Sequence, residues 1–205
     1  NYLAAVDFDP PDFPWLLTPA RANAGEQLRP WLVLVVVERS QVAPPSLRPG
    51  SPLPSIVLTA QQVLTELPDL RESALWAHAQ AVSTVTVPSD PAAQGSVKQQ
   101  LSLEFQNAPE RSISRLICPR RLKARTAYIA CVVPATDGGR LRGIGQPVNL
   151  ATLGPAWSHQ APNDIELPVY FSWTFSTGPV GDIETLARRL RTPSQYPADP
   201  EFLKK

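Results

Sequence analysis

One group of residues could supply the parts of a hydrolase. Ser158 and His159 are adjacent, and Asp164 and Glu166 follow shortly after them. A hydroxyl, an imidazole and a carboxylate are the nucleophile, base and orienting group of nucleophilic catalysis. Adjacent residues on a strand point to opposite faces, however, and the chain has no G-x-S-x-G turn that would expose the serine. We therefore predict no catalytic residue and keep a hydrolase centred on His159 as an alternative.

Cofactor and metal motifs are incomplete. The glycine-rich residues 138–145 (GGRLRGIG) contain G-x-G, but Val148 stands where the dinucleotide fingerprint needs its third glycine. We predict a mobile turn here, with phosphate binding by Arg140 and Arg142 as the alternative. The only two cysteines, Cys118 and Cys131, have no nearby histidine with which to complete a zinc site. The sequence therefore predicts neither a cofactor nor a metal.

The same two cysteines allow two interpretations. If a hairpin turns between Ala124 and Arg125, Cys118 and Cys131 lie directly opposite each other and come within disulfide reach. Otherwise they are buried free thiols that pack as small apolar side chains. We predict the reduced form.

Basic residues are concentrated in one stretch of a chain whose net charge is only +1. This stretch contains Arg111, Arg115, Arg120, Arg121, Lys123 and Arg125. A nucleic-acid module is normally far more basic and carries aromatic residues among the charges, so nucleic-acid binding is not expected. We predict an edge that faces solvent or a protein partner, with Arg120, Arg121 and Arg125 at the interface. No apolar run reaches the ~18 residues of a membrane span.

Residues 1–29 are predicted to form an extended, proline-rich arm. Prolines at positions 10, 11 and 14 favour extended backbone and exclude a helix. The arm is too apolar for a solvated linker, because it contains Phe8, Phe13, Trp15, Leu16 and Leu17. We predict that it lies across the body of the domain or across a neighbour, with these five residues at a protein interface.

Strand signals dominate the rest of the chain. Residues 31–37 (WLVLVVV) and 127–133 (AYIACVV) are apolar on both faces, which predicts two central strands covered on both sides. Residues 169–176 alternate apolar and polar side chains, which predicts a half-buried antiparallel strand that includes Trp173. Residues 75–82 contain helix formers but alternate in side-chain character, and we interpret them as a strand, with 84–87 continuing it or returning; residues 88–100 are predicted as a polar loop.

Two short helices complete the prediction. Thr59 and Gln62 have the spacing of a capping box, and Pro68 ends the helix that follows. A second helix is predicted at residues 182–191, starting at Asp182.

The predicted fold is a β-rich α+β domain, with an antiparallel sandwich-like core and two short peripheral helices. We place this globular domain at residues 30–191, between the arm at 1–29 and a C-terminal tail at 192–205. Short strands separated by proline-rich loops favour it over a parallel α/β design, which needs alternating longer helices.

Residues 122–132 (LKARTAYIACV) resemble the leucine, turn and tyrosine corner of fibronectin-type and bacterial immunoglobulin-like domains. The resemblance implies that Leu122 and Tyr128 are structural residues, with the Tyr128 hydroxyl bonded to backbone near residues 120–124. Residues 169–178, around Trp173, are similar to the closing strand of such a domain. In that fold, Cys118 and Cys131 are expected on facing sheets.

A longer series of short motifs resembles an uncharacterised bacterial family associated with phage-tail-like contractile injection systems. The motifs are RPWL (29–32), LPSI (53–56), LPD (67–69), WAH (76–78), RLICPRRL (115–122), FSWTF (171–175) and GD (181–182). This resemblance carries no catalytic motif, and it implies a particle assembled in the bacterial cytoplasm. The chain opens on Asn1 without a recognisable secretory signal, and a part of a longer polypeptide is one explanation.

Taken together, these features predict a non-enzymatic structural or adaptor module that binds protein partners or further copies of itself. Exposed apolar segments of this size mark partner surfaces. An extracellular ligand-binding or glycan-binding β-sandwich, with Trp157 or the aromatic residues near 170–175 as its platform, is an alternative, as is the hydrolase.

Overall fold

The structure is a computed structural model. Two strands that are apolar on both faces form its middle layer. It describes residues 3–9, 15, 17–18, 22, 25, 27–83, 85–86, 94–148 and 154–179. In these residues the fold is a strand-rich α+β arrangement with eight strands, three α-helices and three antiparallel sheets. This confirms the predicted fold class at that level. The predicted helix at 182–191 and the tail at 192–205 lie outside the described residues.

The strands are β1 (Ala4–Asp7), β2 (Leu32–Glu38), β3 (Ser55–Leu58), β4 (Ala77–Ala81), β5 (Ser112–Cys118), β6 (Ala127–Pro134), β7 (Ile165–Pro168) and β8 (Phe171–Ser176). The α-helices are α1 (Ala60–Glu66), α2 (Gln94–Asn107) and α3 (Asp137–Gly143). Short 3-10 helices cover Leu70–Leu75 and Pro109–Arg111. The strand orders are β1-β5-β4, β2-β6-β8 and β3-β7.

The middle sheet, β2-β6-β8, separates two hydrophobic cores. Every residue of β2 is buried, as its apolar run predicts. Val33, Val35 and Val37 belong to a core shared with β3, β7 and α1. Leu34 and Val36 belong to a second core shared with β1 and β5. Both faces of β2 and β6 are therefore covered, although β2 lies at an edge of its sheet and only β6 lies between two strands.

Helix α1 and strand β4 lie where the sequence predicts them. The Thr59 hydroxyl accepts from the Gln62 N–H, and the Gln62 side chain accepts from the Thr59 N–H. Both halves of the capping box are thus present.

Two segments differ from the prediction. Residues 137–143 of the predicted turn form α3, because the Thr136 hydroxyl accepts from the Gly139 N–H and Asp137 bonds Arg140 across the first turn. Gly143 ends α3 against Pro168, where a Cβ atom would come within 2.5 Å of the proline ring. Residues 94–100, assigned to a loop by their polarity, belong to α2. Residues 94–100 contain one apolar residue, Val97, and the residues that continue its helical spacing, Leu101 and Phe105, lie beyond this segment, so hydrophobic periodicity does not reveal a helix within it.

Tyr128 forms the expected corner. Its side chain is fully buried, and its hydroxyl accepts from the Lys123 N–H at 2.7 Å. Its ring stacks on Phe175 at 5.5 Å, and the half-buried Leu122 and Trp173 pack against the same core. The hydrogen bond to the expected stretch of backbone is confirmed.

We expect Tyr128→Phe to lower the free energy of unfolding by about 1 kcal/mol, because the Lys123 N–H loses its partner while packing is unchanged. Urea unfolding measures this loss. The matched control, Tyr170→Phe, removes a hydroxyl from a side chain that is 44% exposed and should change little. Equal stability of Tyr128→Phe and the wild type would contradict the corner.

The cysteines lie on opposite sides of the middle sheet. Cys118 faces the core shared with β1 and β5, and Cys131 faces the core shared with β3 and β7. Strands β5 and β6 belong to different sheets, so the hairpin interpretation is wrong. Cys118 and Cys131 do lie on two different sheets that share a core, but Cys131 points away from β5 into the other core. Both are buried free thiols.

Burial raises the pKa of Cys131 to about 12 and raises that of Cys118. We therefore expect neither thiol of the native protein to react with iodoacetamide at pH 8, since the thiolate is the reactive form. Denaturation without a reductant should expose both and add two adducts by intact mass. No added mass after denaturation would mean that the two are bridged.

Within the described parts of the chain, no helix has the length and apolar character needed to cross a bilayer.

Candidate functional site

The residues considered for a hydrolase are each held by a different neighbour. The His159 Nε2 lies 3.0 Å from the Leu67 carbonyl oxygen, and Asp164 Oδ1 accepts from the Ala60 N–H at 2.8 Å. The Ser158 hydroxyl accepts from the Gln160 N–H at 3.1 Å. These contacts tie the loop before β7 to both ends of α1.

Glu166 joins β3 to β7. Its carboxylate accepts from the Ser55 hydroxyl at 2.5 Å and from Arg48 at 3.3 Å. It lies on β7 opposite Val57, so it braces the pairing of the two strands. A hydrolase centred on His159 stays a prediction.

A polar cleft of about 270 Å³ opens beside α3 and the loop before β7. Its lining includes Asp137, Arg140, Trp157, Asn163 and Asp164. Arg140 donates to Asp137 at 2.8 Å, and the Trp157 indole donates to the Pro68 carbonyl at 2.8 Å. The described residues contain no group of three or more His, Cys, Asp or Glu side chains that could hold a metal. The cleft has the polarity to hold a small hydroxylated ligand.

A cluster of four charged side chains lies against the outer edge of β2. Arg120 donates to Glu66 at 2.6 Å and to Glu38 at 2.8 Å, and the Lys123 ammonium lies 2.5 Å from Glu38. The side chain of Arg120 is only 13% exposed and that of Glu66 only 5%. The Arg120 guanidinium also lies over the Tyr128 ring, 5.5 Å from its centre. Two carboxylates and two cations therefore neutralise one another, with Arg120, Glu38 and Glu66 largely buried and Lys123 69% exposed.

This charge cluster closes the edge of β2. Arg120 donates to the Val36 carbonyl at 3.0 Å, and the Glu38 N–H donates to Glu66 at 2.7 Å. An unpaired sheet edge otherwise presents N–H and C=O groups to which another chain can pair. Side chains from the end of α1 and from just after β5 occupy the outward groups of Val36 and Glu38, so the C-terminal part of β2 is protected from strand addition.

The cluster shifts the titration of its members. The hydrogen bond from Lys123, with the charges of Lys123 and Arg120, holds the pKa of Glu38 below its usual value despite burial. Burial alone would lower the pKa of Arg120, but the hydrogen bond to Glu66 and the charges of Glu66 and Glu38 together outweigh it and raise that pKa. A carboxylate whose pKa is lowered by folding stabilises the protein above its unfolded pKa, and that stability is lost as the pH falls through the folded pKa.

We therefore expect the stability of the wild type to fall as the pH is lowered from about 5 to about 3, partly through protonation of Glu38. Glu38→Gln should be less stable at pH 7 but should lose less on acidification. Urea unfolding at several pH values measures both slopes. Glu110→Gln changes an exposed glutamate outside the cluster and should keep the wild-type slope. An unchanged slope in Glu38→Gln would contradict the role given to this carboxylate.

The opposite edge of the same sheet, β8, has no comparable cover among the described residues. β8 (FSWTFS) contains no charged residue and no proline. Ser172, Thr174 and Ser176 are exposed, and Phe171 is 57% exposed. Natural sheets usually protect such edges with charges, prolines, bulges or a covering element. The edge of β8 is thus protected by neither charges nor prolines.

An aromatic row runs along one face of β8. Phe171, Trp173 and Phe175 alternate along the strand, and Phe171 contacts Trp173 with ring centres 5.8 Å apart. Tyr170 meets Trp31 edge-to-face at 5.7 Å. The row covers the second core at its Phe175 end and becomes exposed towards Tyr170.

The structure places the predicted interface residues in different environments. Trp15 is buried in the chain's own core, which also takes in the half-buried Phe8, whereas Leu17 is 79% exposed. Arg121 and Arg125 are exposed, whereas Arg120 belongs to the charge cluster. Phe13 and Leu16 lie outside the described residues.

Glu38 and Glu66 were not identified from the sequence as partners of a charge cluster. Glu66 is the last residue of α1 and accepts a hydrogen bond from Arg120. An acidic residue at the end of a fully apolar strand is the one sequence signal for this cluster, because a buried carboxylate needs a partner.

No family model, no curated protein and no solved structure matches this chain.

Proposed function

We propose that this chain is a non-enzymatic structural or adaptor module of a larger protein assembly, and that the outer edge of β8 is where a partner strand adds. The observation that carries the proposal is the contrast between the two edges of one sheet. Arg120 and Glu66 close the edge of β2, whereas β8 is uncharged and exposed. Strand addition to an open edge supplies main-chain hydrogen bonds, and an adjacent aromatic row supplies specificity.

The proposal extends to the architecture and its setting. The sheets β1-β5-β4 and β2-β6-β8 share one core, which supports a sandwich-like arrangement of the two. The sequence resemblance points to a phage-tail-like contractile particle as the assembly. Trp15 packs the N-terminal arm against its own domain, which leaves the β8 edge as the main candidate for partner contact.

Native electrophoresis of the chain in its source cells tests this function. We expect the wild type to migrate in a complex much larger than the chain, and Thr174→Lys, which places a charge on the β8 edge, to migrate outside it. Gln80→Lys is the matched control, because it places the same charge on the exposed β4, in another sheet. Migration of Thr174→Lys with the complex, or of the wild type as the free chain, would contradict the proposal.

A second candidate function is ligand binding in the polar cleft, as the glycan-binding alternative requires. Trp157 lies beside Asp137, Asn163 and Asp164, and sugar sites combine an aromatic side chain with planar polar groups in this way. A glycan array compares the wild type with Asn163→Ala. Binding that is lost in this variant would favour ligand binding, and an array without signal would exclude glycans as its ligand.

A further inference from the structure

We propose that β8 pairs antiparallel with β8 of a second copy of this chain, around a two-fold axis at Thr174. This inference rests on the proposed function and names the partner as a second copy. It would join two β2-β6-β8 sheets into one continuous six-stranded sheet, with the protected β2 strands at its two outer ends.

The backbone of β8 leaves a regular set of groups facing outwards. β8 pairs with β6 so that Trp173 lies opposite Ala130 and Phe175 lies opposite Tyr128, and the Thr177 N–H donates to the Thr126 carbonyl. Backbone groups of alternate residues point to alternate sides in an antiparallel sheet. The hydrogen-bonding groups of the odd-numbered residues therefore face β6, and those of Ser172, Thr174 and Ser176 face outwards. These three residues can pair with another strand without disturbing the existing one.

The side chains of β8 are self-complementary about Thr174. Antiparallel pairing centred there places Trp173 opposite the partner's Phe175, and Phe175 opposite the partner's Trp173. On the other face, Ser172 lies opposite the partner's Ser176, and the two copies of Thr174 face each other. Aromatic pairs and hydroxyl pairs are both favourable cross-strand combinations. Because β8 carries no charge, pairing with itself brings no like charges together within the strand.

The surroundings of β8 favour the antiparallel direction. The Arg125 N–H donates to the Gly178 carbonyl, so the basic turn with Arg121 and Arg125 lies at the C-terminal end of β8. The exposed rings of Tyr170 and Phe171 lie at the other end. Antiparallel pairing brings the basic turn of each copy next to the partner's aromatic end, where a cation–π contact can form. Parallel pairing would instead place the two basic turns side by side.

The paired region is short, extending from Phe171 to Thr177 on each copy. Specific stable interfaces bury about 1,200–2,000 Å², and a single added strand contributes only part of that area. We therefore expect a reversible dimer that forms at high concentration, and a cross-link at the axis is a suitable way to detect it.

Single cysteines in β8 of the full chain provide the test. In the proposed register the two Thr174 residues form a hydrogen-bonded pair, with Cα atoms about 5.5 Å apart. Thr174→Cys should therefore form a covalent dimer with a short bifunctional thiol reagent, seen by electrophoresis and intact mass. Cys118 and Cys131 are buried and should not compete.

Ser172→Cys is the matched control on the same strand and face. Each Ser172 is about four residues, roughly 13 Å along the strand, from the partner's Ser172, too far for the same short reagent. Ser172→Cys should form no covalent dimer alone but should cross-link when mixed with Ser176→Cys. Circular dichroism checks that each variant is folded.

Two results would overturn the inference: no cross-link in folded Thr174→Cys, or equal cross-linking of Thr174→Cys and Ser172→Cys alone. The proposed function has a separate outcome. If folded Thr174→Cys does not cross-link but Thr174→Lys still migrates outside the large complex, the β8 edge binds a different chain. If neither change has an effect, both proposals fail.

Discussion

Arg120→Ala is expected to lower the free energy of unfolding by about 3–5 kcal/mol, because it leaves buried carboxylates without their partner. Glu66 is 5% exposed and receives two hydrogen bonds from the guanidinium, and Glu38 receives a third. The Val36 carbonyl at the sheet edge also loses its donor. Guanidinium unfolding followed by circular dichroism measures the loss.

Arg121→Ala is the matched control for this substitution. It removes the same side chain one position along, where the residue is exposed, and should change stability by less than about 0.5 kcal/mol. Removing both the cations and the carboxylates of the cluster should lower the free energy of unfolding less than removing one kind alone, because the large cost arises when one buried charge is left without its partner. If Arg120→Ala were as stable as Arg121→Ala, the charge cluster would have no structural role.

Trp15→Ala is expected to cost about 3–5 kcal/mol, the range for a large aromatic side chain removed from a core. Trp15 is 7% exposed and belongs to the core with Leu34, Cys118 and Tyr128. Its indole N–H donates to the Ser114 hydroxyl at 3.0 Å, and its carbonyl accepts from the Trp31 N–H at 3.3 Å.

The control for Trp15 comes from the same arm. Leu17 is 79% exposed, so Leu17→Ala should leave thermal unfolding unchanged within error. A stable Trp15→Ala variant would mean that the arm does not pack on its own domain, and it would return Trp15 to the surface available to a partner.

Local patterns were enough to predict several elements. The apolar run of β2, the alternation in β8 and the capping box of Thr59 and Gln62 each depend on neighbouring residues, and each appears in the structure. The hydroxyl contact of Tyr128 was also predictable, because its partner lies only five residues away.

Features that depend on distant residues could not be predicted in this way. Glu66 and Arg120 are 54 residues apart in the chain, and no periodicity connects them. The faces of Cys118 and Cys131 depend on which sheets β5 and β6 join, which a hairpin argument from spacing cannot decide. Helix α3 contains three glycines, so its formation depends on the Thr136 cap and the Asp137–Arg140 bond more than on helix propensity.

Sedimentation velocity with charged variants of Thr174 is the most direct test of the central claim, that the β8 edge pairs with β8 of a second copy. Thr174→Lys and Thr174→Asp each place like charges across the proposed axis, so each alone should sediment as a monomer at concentrations where the wild type dimerises. Mixed in equal amounts, they should recover a dimer, because opposite charges then face each other across the strands. A wild type that stays monomeric at every concentration, or a mixture no more associated than its two components, would contradict the account.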